Sequence, residues 1–123
     1  MSGIDLTRTF SKLGWRIKWV RHEVISDYNA CYNVNYQGRR IAPTAADILG
    51  IPPDEVWISE KFRKYATYIL FHELQEIRYR AAGFNGDEAH SKAVDDEIQA
   101  WGSDPEWNDM NKTIGVGREQ LVR

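Results

Sequence analysis

An α+β fold is what this sequence predicts: a small antiparallel or mixed sheet packed against a two-helix hairpin that carries a metal site. Three observations predict the fold. Apolar residues alternate with period two through the first half, the period becomes helical near residue 60, and a capped turn near residue 85 divides the helical half in two. The 123 residues fit one domain, long enough to bury roughly two thirds of the surface its unfolded chain exposes. Residues 1–58 read as the strand-rich half, 60–101 as the helical hairpin, and 102–123 as a short helix with a polar tail.

In "GWRIKWVRH", Trp15, Ile17 and Trp19 take one side of a strand while Arg16 and Lys18 take the other. In "YNACYNVNYQGRR", Tyr28, Ala30, Tyr32, Val34 and Tyr36 alternate with Asn29, Cys31, Asn33 and Asn35, and Gln37-Gly38 suits a tight hairpin turn. "TAADILG" predicts a short helix stopped by Gly50, after which Pro52-Pro53 forces an extended connection into a strand over "DEVWIS". A helix is then expected from about Glu60 to Ala82, stopped at Gly83. Asn85 with Glu88 three residues on has the spacing of a capping box, so a second helix runs from about Gly86 to Trp101. Asp104 and Pro105 suit the cap and first position of a third, short helix before the tail "GREQLVR".

The composition narrows the functions. A net charge of −2 and a pI near 5.9 give no basic footprint for neutralising phosphates, so no nucleic-acid partner is expected. Cys31 is the only cysteine, which rules out an intrachain disulfide and any paired-cysteine zinc or redox site; a bound metal must use His and carboxylates. The opening "MSGIDLTRTFSKLGW" has no apolar leader core and no run reaches the ~20 apolar residues of a membrane span, so a soluble, cytoplasmic protein without a membrane partner is expected.

The two long helices hold an anomaly. Projected end-on at about 100° per residue, the second helix gathers Ala89, Ala93, Val94, Ile98, Ala100 and Trp101 on one side, with His90 and Glu97 in their midst. On the first, His72 and Glu76 share a line with Tyr65, Ile69 and Tyr79, and Glu73 lies on the adjoining flank with Phe62, Ala66 and Ile77. An isolated carboxylate in a core is strongly disfavoured; it must be protonated, paired or bound to a cation. In an antiparallel hairpin turning near Phe84 or Asn85, His72 comes level with Glu97 and His90 comes near Glu76, so all four groups converge. Zinc accepts such a mixture of N and O donors.

These residues resemble a known family. "HELQE" on a helix that follows a strand is similar to the HExxH helix of the zincin metallopeptidases, in which ligands at i and i+4 face the metal and the Glu beside the first His activates a water. "AHSKAVDDE" resembles the second, ligand-bearing helix of the gluzincin branch, and the resemblance covers about Asp54 to Trp101. It implies a zinc-dependent peptidase or amidase acting on a peptide or protein substrate, with Glu73 as base. The sequence departs from the family where Glu76 occupies the position of the second His; His90 then supplies the missing imidazole, and Glu97 is either a fourth ligand or a partner orienting an imidazole. The extra carboxylate makes zinc a weaker Lewis acid, and a filled fourth position would leave no room for substrate. Tyr65 and Tyr79 are candidates for hydrogen bonding the substrate. Two other readings of the cluster stay open: a metal staple or polar network in a non-catalytic interaction module, and an iron or manganese site.

Overall fold

The computed structural model describes residues 5–25 and 28–114. Four strands, β1 (Arg16–Val20), β2 (Ala30–Tyr36), β3 (Arg39–Ile41) and β4 (Glu55–Ser59), form a mixed sheet in the order β1-β4-β2-β3. β1 runs parallel to β4, with Ile17 opposite Val56, whereas β2 is antiparallel to both β4 and β3. The β2–β3 hairpin turns at Gln37-Gly38, both with positive φ (52° and 82°), the geometry whose twist matches that of the flanking strands.

Period-two alternation divides the core between the two faces of the sheet. Ala30, Tyr32 and Val34 of β2 join Val56 and Ile58 of β4 in the main core, beneath the helical hairpin. Cys31 points to the opposite face, into a smaller cluster with Ile25, Ala45, Ala46 and Ile51. That face is covered by α2 (Thr44–Leu49), which ends where Gly50 takes the left-handed cap at φ 71°.

The hairpin consists of α3 (Ala66–Ala81) and α4 (Gly86–Trp101), which pack along one another, and α3 also packs against β2 and β3. This double contact explains the burial around most of α3's circumference, from Tyr68, Ile69 and Leu70 to Leu74 and Ile77. The start of α4 is fixed by a complete capping box, in which the Asn85 side chain accepts from Glu88 N–H while the Glu88 carboxylate accepts from Asn85 N–H. α5 (Pro105–Ile114) is capped by Asp104, whose side chain accepts from Glu106 N–H. Among the described residues no helix is long and apolar enough to cross a membrane.

Four local expectations change. A helix, α1 (Leu6–Lys12), precedes the first strand, burying Leu6 and Phe10. α3 begins at Ala66 rather than near Glu60: Ser59 caps a tighter 3₁₀ segment, Glu60–Tyr65, which is kinked at Phe62. The apolar stripe of α4 is narrower than its projection, with Ile98 52% exposed and Ala100 also in solvent, because the fully buried positions are His90 and the i, i+4 line of Ala89, Ala93, Glu97 and Trp101. His22, the last residue of the "GWRIKWVRH" stretch read as a strand, instead opens a 3₁₀ turn and is half-buried, with its Nδ1 2.9 Å from Ser59 Oγ and its ring against Phe62. The tail from residue 115 lies outside the described residues.

Candidate metal centre

The site grows out of the register of the hairpin. α3 and α4 run antiparallel and are pinned by Asp96, whose Oδ2 accepts from both Gln75 Nε2 and the Tyr79 hydroxyl at 2.8 Å. This register sets Glu97 beside His72. One helical turn along α3, Glu76 meets His90, which lies in the first turns of α4. All four side chains are 1–3% exposed, as is Glu73.

Three atoms form a nearly equilateral triangle. His72 Nε2 lies 3.1 Å from His90 Nδ1 and 3.3 Å from Glu76 Oε2, and His90 Nδ1 lies 3.2 Å from the same oxygen. Donors at about 2.0–2.1 Å around a tetrahedral zinc are separated by roughly 3.3 Å, so a cation beside the triangle would have normal bond lengths with little rearrangement. These three residues also constitute the metal-compatible group among the described residues.

Two of the three ligand candidates, His72 and Glu76, are oriented from behind. The Nδ1 of His72 is in a short contact with Glu97 Oε2, so with Nδ1–H donated to that carboxylate, Nε2 keeps its lone pair for a cation. The other Glu97 oxygen accepts from Trp107 Nε1 of α5 at 3.2 Å. Both Glu97 oxygens are thus engaged away from the triangle, and the structure places this residue on the far side of His72. Tyr32 of β2 donates its hydroxyl to Glu76 Oε1 at 2.6 Å, which leaves Oε2 facing the imidazoles. Glu73, the candidate base, brings its Oε2 to 3.9 Å from His72 Nε2, on the side of the ring that faces the triangle.

Electrostatics follow from this geometry. Burial opposes a charge on His72, but the Glu76 and Glu97 carboxylates on its two ring nitrogens, with Glu73 nearby, outweigh burial and raise its pKa to about 10. Without a cation the protonated imidazole is the counter-ion of the cluster, and a cation would displace that proton from Nε2. The Tyr32 hydroxyl is pushed well above its ordinary value, first by burial and then by the Glu76 charge, so it remains a donor.

Tyr65 and Tyr79, the substrate-contact candidates, are engaged elsewhere: their hydroxyls donate to Asp109 and Asp96 at 2.7 and 2.8 Å. These acceptors come from α5 and the outer flank of α4, which helical projection of α3 alone does not reveal. Sequence reasoning also missed the roles of Tyr32 and Trp107. Each is on the buried face of its own element, but its polar partner lies on a different one, 44 and 10 residues away.

A cleft of about 360 Å³ opens beside the cluster, lined by His90, Arg80, Asn85, Gly86 and Asp87 from the hairpin turn and by Pro43 to Ala45 at the start of α2. No protein-family model, curated protein or solved structure matches the chain.

Proposed function

We propose that this protein binds one divalent cation, zinc in the first instance, through His72, Glu76 and His90, and hydrolyses peptide or amide bonds at that centre. The observation that carries the reading is the triangle of three donor atoms 3.1–3.3 Å apart, with the fourth candidate ligand, Glu97, held on the opposite ring nitrogen. Three protein ligands leave a coordination position for chemistry, whereas four would make a closed structural site. The neighbouring cleft, which reaches His90, favours catalysis over a purely structural staple.

A cation held there supplies Lewis acidity, polarising a substrate carbonyl and easing deprotonation of water. Glu73 takes the proton from the attacking water as the new C–O bond forms at the carbonyl carbon, and returns it to the nitrogen as the C–N bond breaks. Glu97 and Trp107 hold the His72 ring in its plane, and Tyr32 keeps Glu76 to a single donating oxygen. Exclusion of bulk water from this 1–3% exposed cluster strengthens each of these interactions.

Two imidazoles and one carboxylate also suit one face of an octahedral iron or manganese centre, where donors at about 2.1 Å lie roughly 3.0 Å apart. Elemental analysis of protein purified without added metal separates the readings by the ion found. The hydrolytic role is tested by Glu73→Gln: the variant is expected to retain its zinc and to lose roughly 10²–10⁴-fold in cleavage of a casein or mixed-peptide substrate. Unchanged cleavage would remove Glu73 from the mechanism.

A further inference from the structure

Among the described residues, Arg80 is held in this region by one ionic contact, to Glu76, and keeps a buried N–H without an acceptor. Its side chain is three-quarters buried, its Nε–H has no hydrogen-bond partner among the described residues, and the carboxylate nearest to that atom, Glu76 Oε1, is 3.7 Å away, too far for a hydrogen bond. A guanidinium carries five N–H donors in a rigid fork, and one of them, the buried Nε–H, is left without a hydrogen-bond acceptor, which is costly. The guanidinium also lies across Gly86: a Cβ built there would stand 2.7 Å from Nη2, so any larger residue would push the guanidinium from this position. Both residues line the cleft that reaches His90.

The spacing along this line is informative. Glu76 presents Oε2 to the two imidazoles, while Oε1, the other oxygen of the same carboxylate, faces Arg80. The cation position and the guanidinium are therefore separated by one carboxylate and one ionic contact, comparable to one or two residues of extended chain at roughly 3.5 Å each. A volume of about 360 Å³ is at the small end for ligand sites and suits a molecule of that length rather than a long polypeptide.

We infer that the cleft is a carboxylate-recognition subsite in which Arg80 grips the free carboxylate of an N-acylated amino acid or short peptide end, setting the adjoining amide at the His72–Glu76–His90 centre. A planar carboxylate matches the guanidinium fork through two parallel N–H···O bonds, at a distance that Glu76 does not reach. Two carboxylates of the protein compete for the guanidinium: Glu76, in ionic contact at 3.7 Å without a hydrogen bond, and Asp87, exposed on the rim of the cleft, which makes no ion pair with Arg80 within 4 Å among the described residues. Hydrolysis in this pose would release an amino acid whose own carboxylate is still at Arg80. As a substrate subsite the assignment rests on the hydrolytic reading above; as a binding site it stands without it.

The test is a titration of the full chain with N-acetylalanine and with its methylamide, which lacks the carboxylate, followed by NMR of the Arg80 Nε–H signal in the metal-free and zinc-loaded protein. The acid is expected to shift that signal saturably in both forms and to bind at least tenfold more tightly than the methylamide. Arg80→Gln is expected to abolish this preference while zinc content is unchanged. Equal binding of acid and methylamide by the unaltered chain would overturn the proposal even if Arg80→Gln failed to fold. So would inorganic phosphate binding more tightly than the acid, or acid binding that needs zinc and ignores Arg80→Gln. Acid binding at Arg80 in a chain that takes up no zinc would uphold the subsite and remove the hydrolytic reading.

Discussion

The two interiors of this protein are equally dry and differently made. Under α2, on the minor face of the sheet, Ile25, Cys31, Ala45, Ala46 and Ile51 make an apolar cluster with no ionisable carboxylate or imidazole. Between α3 and α4, burial just as complete encloses two imidazoles and three carboxylates, His72, Glu73, Glu76, His90 and Glu97. The first arrangement contributes apolar transfer free energy at about 25 cal/mol per Å² and asks for nothing else. The second carries a desolvation cost of several kcal/mol per ion, which pairing offsets only when the geometry is good, and an apolar seam of similar volume would be as stable or more so. A hairpin that needed only to fold could have repeated the solution used under α2. Its polar seam is therefore best understood by what it can bind.

The largest expected break in this comparison comes from replacing a ligand candidate. His90→Ala should abolish stoichiometric zinc uptake, read by elemental analysis of the purified variant; full zinc content would remove His90 from the site. An effect of about two orders of magnitude is expected from pH. Because His72 in the metal-free chain titrates at about 10, zinc must displace one proton at every pH below that, and affinity should fall roughly tenfold per unit, or about 100-fold from pH 8 to pH 6. The sign for metal-free stability is the opposite. A pKa raised above the ordinary imidazole value of 6.5 contributes stability that is fully present below about 6.5 and lost as pH rises through about 10, measurable by urea unfolding across that window. Glu97→Gln, which removes the charge behind His72 but no donor atom from the triangle, should weaken zinc by roughly 10–100-fold in a competition titration with a chelator. The smallest effect belongs to the apolar region: Ile51→Val should cost about 0.5–1.5 kcal/mol in denaturant unfolding and leave zinc affinity unchanged. A change in zinc affinity there would show that the two interiors are coupled.

What could be read from the sequence was local or periodic. The turn at Gln37-Gly38, the stop at Gly50 and the bounds of α4 follow from residues whose backbone or capping preferences act within four positions. The meeting of His72, Glu76, His90 and Glu97 follows from helical period plus a short antiparallel turn, so it too was accessible. What was not legible depends on third elements. α1 is less than two turns long and buries only Leu6 and Phe10, too few residues to establish a period. The front of α3 yields to a 3₁₀ segment because Ser59 competes for its first N–H groups. Tyr32 and Trp107 reach the cluster from β2 and α5, and Tyr65 and Tyr79 leave it for Asp109 and Asp96. Such choices of partner are made by tertiary packing, and no spacing in the chain encodes them.

The central claim is that His72, Glu76 and His90 hold one cation together. Calorimetric titration of zinc into chelator-treated protein, for the unaltered chain and for Glu76→Gln, tests it most directly. One ion per chain in the first and at least 100-fold weaker binding in the second is the predicted result. No uptake by the unaltered chain, or equal uptake by both, would contradict it.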